Sequence, residues 1–216
     1  MTSLSELWPP FGLVVRSGGL TLTPVTDEDL PGLVDLVRSG VHAPDEMPFG
    51  MPWTRRATAE VAPEYARHYW QTRAAFVPAD FHLDLVVRDD GELVGVQGFF
   101  ATDYPVTRTA ETGSWLALRH QDRGIGTRMR QSVCSLLVDH LGAAEVTSGA
   151  FVDNPASLAV SRKVGYRRTD TKRVAREGAL ALHAQLRLRP DDLVRGDPVE
   201  VSGVEPLRAF LGVDQA

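Results

Sequence analysis

The chain has 216 residues, of which 43% are hydrophobic and 24% charged, with a formal net charge of -5. A chain of this size can bury one substantial core, so we expect a single domain over residues 1–216. The acidic balance argues against general nucleic-acid binding, which usually shows a basic footprint, and no apolar run has the length of a membrane span.

The N-terminus and the cysteine content favour a cytoplasmic protein. Met1 to Pro10 lacks the basic start and apolar stretch of a secretory signal. A single cysteine, Cys134, excludes an internal disulfide framework, and no CxxC or HExxH pattern offers a metal site. We therefore expect no metal cofactor, no membrane partner and no nucleic-acid partner.

The first half of the chain is predicted to contain three strands and two helices. The strands are Leu20 to Pro24, Leu83 to Arg88 and Glu92 to Ala101, and the helices run from Thr26 to about Arg38 and from about Thr54 to Arg73. The second and third strands form a hairpin, because Asp90-Gly91 is a turn signal. Between the helices, the segment from His42 to Pro52 is rich in Pro and Gly and is predicted to be a loop.

The second half alternates strands and helices before a tail. The strands are Glu111 to Leu118, Glu145 to Val152, Tyr166 to Val174 and Ala179 to Leu188, and the helices are Thr127 to Leu141 and a short one capped by Asn154. Residues 190–216 keep apolar side chains at Val199, Val201, Leu207 and Phe210. This tail is expected to pack on the body or on a neighbouring copy, which leaves a homo-oligomer open.

The segment from Gln121 to Thr127 predicts a phosphate site. It joins an apolar run to a helix, and Gly124 and Gly126 allow several amides to approach an anion at the positive end of that helix. The spacing Q-x-x-G-x-G differs from the dinucleotide fingerprint and lacks the G-K-[ST] of a P-loop. The pyrophosphate of coenzyme A therefore remains as the predicted ligand. Taken alone, however, a glycine-rich turn before a helix is about as often a plain turn that binds no ligand.

A second motif identifies a family. The stretch from Phe151 to Tyr166 contains an Asn helix cap, a Pro at the first helical position and the sequence K-x-G-Y. Together, the two motifs resemble the GNAT superfamily of acyl-CoA-dependent N-acyltransferases, over about Leu20 to Leu188. The similarity is to the RimJ/RimL branch of ribosomal-protein N-terminal acetyltransferases. Gly40 to Phe49 and Pro52 to Thr54 look like an actinobacterial subgroup, some of whose members are associated with succinyl-CoA.

The resemblance implies an α+β fold of three layers, with a mixed, mostly antiparallel sheet whose fourth and fifth strands splay apart. It implies acetyl-CoA or succinyl-CoA as the cosubstrate, with the amides of Leu116 and Ala117 as catalytic oxyanion donors. The implied cofactor contacts lie on the fourth strand, the glycine loop and the second capped helix. They are Leu116, Ala117, Leu118, Gln121, Arg123, Gly124, Ile125, Gly126, Thr127, Asn154 and Ser157.

The chemistry requires that an ammonium group lose a proton before it attacks a thioester. Glu111 is the predicted base, at a position where related enzymes often carry a catalytic Glu; a solvated strand-end carboxylate is the alternative. For His120, beside the loop, we prefer an exposed loop residue. His42, Asp45 and Trp53 are the predicted contacts with the acceptor, which is a small amine or a protein N-terminus or lysine.

Two departures leave alternatives open. The family often has a tyrosine as general acid where this chain has Ser161, so the acid is unassigned. Cys134 as a covalent acyl carrier competes with a plain buried residue, which we prefer. A catalytically silent acyl-CoA-binding module and an unrelated nucleotide-binding or scaffold protein therefore remain as other functions.

Use of succinyl-CoA would need a cation for the second carboxylate. Arg55, Arg56 and Arg108 are the candidates, on segments expected to border the cleft. Each is more often a solvated surface charge, so acetyl-CoA is favoured.

Overall fold

The computed structural model describes residues 2–55 and 58–213, without the side chains of residues 58 and 59. Its described part forms a nine-stranded sheet in the order β7-β8-β6-β5-β4-β3-β2-β1-β9. The strands are β1 Val14–Ser17, β2 Leu20–Pro24, β3 Phe81–Asp89, β4 Glu92–Ala101, β5 Thr109–Leu116, β6 Glu145–Phe151, β7 Arg167–Arg176, β8 Ala179–Leu188 and β9 Glu200–Ser202. The helices are α1 Leu4–Leu7, α2 Leu30–Arg38, α3 Thr58–Ala75, α4 Tyr104–Thr107, α5 Ile125–Ser135, α6 Pro155–Val164 and α7 Val204–Leu211.

The predicted α+β class and the mixed, mostly antiparallel sheet are confirmed. All pairings are antiparallel except that of β5 with β6. The Asp-Gly turn is also confirmed, since Asp90 and Gly91 have φ values of 50° and 85°, the left-handed conformation that a tight hairpin turn needs.

Several helix ends differ from the prediction. Helix α2 begins at Leu30 rather than Thr26, because the Asp29 carboxylate accepts bonds from the amide and hydroxyl of Thr26, both at 2.8 Å, and forms a turn there. Helix α5 begins at Ile125, two residues early, and continues as a π-helical turn over Leu136–His140. Strand β5 ends at Leu116, because Leu118–His120 form a 3₁₀ turn.

The sheet separates two hydrophobic cores. On one face, which we call the α2/α3 face, residues of those helices such as Leu33 and Tyr65 pack with Val86 of β3 and Val96 of β4. The other face carries the larger core, which includes α5, and we call it the α5 face. Strand residues alternate between the two faces, so the register of β3, β4 and β5 decides which side chains share a site.

The terminal segments form structure that the sequence patterns did not reveal. Strand β1 pairs with both β2 and β9, which extends the sheet beyond the predicted first strand. Leu207 and Leu211 of α7 are 0% and 1% exposed in the larger core, so the tail packs on the body of the same chain. Strands of three and four residues are too short to show a clear period, which explains why the sequence did not predict them.

Candidate active site

Strands β5 and β6 separate at one end, and this opening is the centre of the candidate site. Their parallel pairing runs from Thr109 with Glu145 to Thr112 with Ser148 and then stops. Beyond that point β5 stays paired with β4 as far as Leu116, while β6 stays paired with β8 as far as Phe151. The two strands therefore present free backbone edges to a V-shaped gap, as the predicted splay requires.

The directions of the backbone amides at the end of β5 reduce the number of predicted hydrogen-bond donors to the cofactor. The Ala117 amide donates to the Val94 carbonyl of β4 at 3.0 Å, so the alternation of the strand turns the amides of Ser114 and Leu116 toward the opening. The Leu118 amide donates to the Gly40 carbonyl at 2.9 Å. Two of the three amides expected to face the cofactor are thus engaged within the protein, and only that of Leu116 keeps the expected direction.

The glycine loop gathers unpaired amides at the start of α5. Within residues 2–55 and 58–213, the five amides from Asp122 to Gly126 have no hydrogen-bond partner. Asp122 and Gly124 both have left-handed φ values, 58° and 79°, which turn successive N–H groups to one side as in an anion-binding nest. Because these amides also lie at the positive end of α5, the loop has the electrostatics of a phosphate site.

Gln121 braces this loop instead of extending toward a ligand. Its side-chain amide donates to the carbonyls of Val41 and Leu116, at 2.7 and 3.0 Å, and so ties the loop to the end of β5. Arg123 is exposed and donates to Nδ1 of His120 at 3.4 Å. His120 itself is 3% exposed, which corrects our preference for an exposed loop histidine. Burial lowers its pKa despite the nearby carboxylate of Glu92.

Helix α6 lies beside the loop and is capped as predicted. The Asn154 side chain accepts a hydrogen bond from the Ser157 amide at 3.0 Å, and Gly165 ends the helix with a φ of 108°. Ser161 is 1% exposed, and its hydroxyl has no partner among the described residues. Cys134 is fully buried, and burial raises the pKa of its thiol to about 11, which fits the preferred reading of a packed residue.

The side chain of a buried arginine lies across three strands of the sheet at the closed end of the opening. Arg130 of α5 is 4% exposed and donates to Gln97 of β4, Ser114 of β5 and Ser148 of β6, at 3.2, 2.8 and 3.2 Å. In the described part of the chain no carboxylate forms an ion pair with it. These three hydrogen bonds hold β4, β5 and β6 in position relative to one another where the pairing of β5 and β6 ends.

An aromatic cavity of about 430 Å³ leads to the opening from the α2/α3 face. Trp53 lines it, together with Tyr65 and Tyr69 of α3 and Trp115 of β5. His42 does not line it, because its ring is fixed between the Ala43 carbonyl and the Thr54 hydroxyl, each at 2.7 Å. Asp45 is exposed and lies outside the cavity lining as well.

The floor of this cavity holds a polar cluster that the sequence analysis missed. Asp84 of β3 lies 3.0 Å from Nε2 of His82 and 3.9 Å from Nε2 of His68. The signal was present in Phe81-His82-Leu83-Asp84-Leu85, where polar residues alternate with buried apolar ones. That alternation placed both polar side chains on one face of the strand, but only the structure shows that this face borders a cavity.

Glu111 lies on the α2/α3 face of the sheet, one residue before the last pair of β5 with β6. It is paired with Phe100 of β4 and Thr147 of β6 and is exposed. Desolvation of its carboxyl raises its pKa, and the nearby Lys172 only partly opposes that shift. The carboxylate is thus a stronger base than an ordinary glutamate.

Two of the three arginines suggested for a second carboxylate are engaged elsewhere. Arg55 forms an ion pair with Glu177 at 3.1 Å and donates to the carbonyls of Pro44 and Glu46. Arg108 precedes β5, at the end away from the opening, and donates to the Val213 carbonyl at 2.7 Å. The expectation that these three arginines border the cleft is therefore wrong for Arg108. Arg56 lies outside the described residues.

Among residues 2–55 and 58–213 no group of three or more His, Cys, Asp or Glu side chains is placed to hold a metal ion. No helix in this part of the chain is long and apolar enough to cross a bilayer.

Comparisons with known proteins agree with this geometry. A family model described as an acetyltransferase (GNAT) domain matches residues 19–167. The structure of Mycobacterium smegmatis RimJ in complex with CoA-disulfide is similar, with 20% identity, a TM-score of 0.72 and coverage of 94% of this chain and 95% of that chain. RimL, a ribosomal L7/L12 α-N-protein acetyltransferase in complex with coenzyme A, has 18% identity, a TM-score of 0.67 and coverage of 82% and 97%. Spermidine N-acetyltransferase from Vibrio cholerae, in complex with CoA and spermine, has 17% identity, a TM-score of 0.58 and coverage of 81% and 97%.

Proposed function

The chain belongs to the GNAT acetyltransferase family, and from this premise we propose that it transfers an acyl group from coenzyme A to a primary amine in a ternary complex. The observation that carries the proposal is the opening between β5 and β6, because the glycine loop with its unpaired amides follows β5 and residues of β5 beyond its last pair with β6 line the aromatic cavity. The donor enters along the loop, and the acceptor enters from the cavity.

The donor is held by backbone groups. The amides from Asp122 to Gly126 bind the pyrophosphate, and the pantetheine arm follows the free edge of β5. The Leu116 amide donates to the thioester carbonyl and stabilises the oxyanion that forms when the amine attacks. Asn154 and Ser157 sit at the start of α6 and contact the pantetheine or adenine side.

In the reaction, the nitrogen loses two protons, the thiolate gains one, and a C–N bond replaces a C–S bond. Glu111, directly or through a water, accepts a proton from the ammonium, and the neutral nitrogen then attacks the thioester carbon. The C–N bond forms, the tetrahedral intermediate collapses, and the C–S bond breaks, while the acylated nitrogen loses its second proton to solvent. The thiolate takes up a proton from solvent, because a thiol with a pKa of about 8.5 leaves without a strong acid. Ser161, which is buried, is not needed for this step.

Replacing Glu111 with Gln is expected to lower kcat about 100-fold, the ordinary scale of general-base catalysis. Because the pKa of Glu111 is raised, wild-type activity should fall as the pH drops through that raised value, and the variant should lack this limb. Initial rates across pH 5 to 10 measure both effects. Glu145→Gln, which removes a carboxylate at the far end of β6, is the matched control. A variant with wild-type rates and pH profile would exclude Glu111 as the base.

Acetyl-CoA is the donor that the site favours. A succinyl group would bring a second carboxylate into the opening, where Arg55 and Arg108 are not available to it. The guanidinium of Arg130 lies nearby but is held by three neutral partners, which a carboxylate would have to displace.

We therefore expect kcat/KM to be at least about 10-fold higher for acetyl-CoA than for succinyl-CoA, measured with one primary amine, since an unpaired carboxylate in the opening costs at least about 1.4 kcal/mol. A preference for succinyl-CoA would contradict this assignment. If no amine is acylated with either donor while CoA still binds, the chain is a silent CoA-binding module.

A further inference from the structure

The cavity on the α2/α3 face has a row of two glycines beside its carboxylate. Asp84 of β3 is paired with Gly98 of β4, which is in turn paired with Gly113 of β5. A Cβ on Gly98 would lie 2.1 Å from Oδ1 of Asp84, so only glycine lets this side chain lie across β4. The row therefore forms an open path from the carboxylate to the strand that borders the opening.

Among the described residues, the ion-pair partners of Asp84 are two histidines, which carry a charge only when protonated. Burial would raise the pKa of its carboxyl, but the hydrogen bond with His82 and the nearby His68 ring outweigh that effect and lower the pKa to about 2. Burial also opposes a charge on His82, although its bond to Asp84 leaves its pKa raised. The other charged pair in the lining, Glu64 and Arg67, is self-compensating. When both imidazoles are neutral, the cavity therefore has a net negative charge.

The walls around this charge suit an organic cation. Trp53, Tyr65 and Tyr69 line the cavity, with ring centroids 6.0 Å apart for the first two and 5.1 Å for the two tyrosines. Aromatic faces attract ammonium groups, most strongly where water is excluded. Burial raises the pKa values of both tyrosines, so their hydroxyls stay neutral and do not add to the charge.

The position of Asp84 shows that the cation cannot be the reacting nitrogen. The carboxylate lies over Gly98, in the row of Gly113, and three residues of β5 separate Gly113 from Leu116, which is about 10 Å along the strand. An amine bound to Asp84 would also be held as ammonium, whereas the attacking nitrogen must be neutral. We propose that Asp84 binds a second, non-reacting ammonium group of the acceptor, about 10 Å from the nitrogen that is acylated. This inference rests on the proposed function and specifies its acceptor class as an amine with a second cationic group.

Wild-type protein alone tests this proposal. Aliphatic diamines from 1,4-diaminobutane to 1,8-diaminooctane are compared with monoamines of the same chain length at pH 9, above the ordinary titration range of an imidazole. We expect kcat/KM to favour the longer diamines at least about 10-fold over their monoamines, equivalent to about 1.4 kcal/mol. A second series compares peptides with Lys or norleucine after the N-terminal residue and distinguishes a peptide source of the cation from a diamine source. Equal rates within every pair would overturn the proposal, whereas the absence of acylation with any amine would overturn the proposed function.

Asp84→Asn then tests the residue. It should remove the preference for a second cation and leave kcat/KM for monoamines within about 3-fold of wild type, because they do not use the carboxylate. Asp80→Asn, which removes an exposed carboxylate outside the cavity lining, should behave as wild type. An equal loss for monoamines and diamines with an altered pH profile would instead assign the Asp84 and His82 pair to proton transfer and contradict the inference.

Discussion

Valine in place of Gly126 is expected to weaken coenzyme A binding by about 100-fold, or about 2.7 kcal/mol. A Cβ at this position would lie 3.5 Å from Val160 and 3.7 Å from Leu116, so alanine fits against the protein itself. The two further methyl groups of valine would extend into the space between α5, α6 and the end of β5. That space is where the pyrophosphate must approach the loop amides, and one lost charge-assisted hydrogen bond costs about 1.5 to 3 kcal/mol.

Calorimetric titration with CoA measures this effect, with Gly126→Ala as the intermediate variant. Alanine should lose less than about 10-fold, because its single methyl makes only ordinary contacts with Val160 and Leu116. The melting temperature of each variant shows whether the fold is kept. A folded valine variant with wild-type affinity would mean that CoA does not approach the amides from Asp122 to Gly126, and the donor site would have to be placed elsewhere.

The fold was predictable from the sequence wherever local patterns were strong. The alternation in β3 and β4 and the Asp90-Gly91 turn specify a hairpin, and Asn154, Pro155 and Gly165 specify both ends of α6. The glycine loop was found for the same reason, because a short run of residues encodes its backbone. Strand β9 was not, since its pairing with β1 joins segments nearly two hundred residues apart in the chain.

The acceptor side of the site depends on register, which no local pattern encodes. Asp84 meets the cavity because β3 and β4 are aligned so that Gly98 lies opposite it. His68 reaches the same carboxylate from α3, and the helix itself is positioned by packing. From the sequence, His42 and Asp45 were predicted to contact the acceptor, because they lie in the loop rich in Pro and Gly. In the structure, neither side chain lines the cavity, whereas Trp53, which follows that loop, does.

Arg130 also shows how a long-range arrangement escapes sequence reading. On α5 it occupies one position in an amphipathic helix, and nothing nearby in the chain indicates that its guanidinium is buried. Its partners come from three strands, and none of them is charged. A buried cation without a counter-charge is costly. The position of Arg130 therefore indicates a role in shaping the opening more than in stabilising the fold.

Methionine in place of Arg130 is therefore expected to separate activity from stability. Removing the buried charge offsets the cost of leaving the Gln97 side-chain oxygen without its donor, so the free energy of unfolding should stay within about 2 kcal/mol of wild type. The ties from α5 to Ser114 and Ser148 are lost, however, so the strand edge that carries the Leu116 amide can shift. Displacement of a catalytic group by about 1 Å costs about 100-fold in rate, and kcat should fall by that amount.

Three measurements on the Arg130→Met variant distinguish this role from a purely structural one. Urea unfolding reports stability, calorimetry reports CoA affinity, and single-turnover kinetics report the chemical step. We expect CoA affinity to change less than about 3-fold, because the loop amides that we propose bind the pyrophosphate do not contact Arg130. Arg130→Lys keeps the charge with fewer directed donors and should recover only part of kcat. A wild-type kcat would contradict this role, and parallel losses of stability, affinity and rate would reduce Arg130 to a structural residue, because a group that only sets the geometry of the opening affects the chemical step alone.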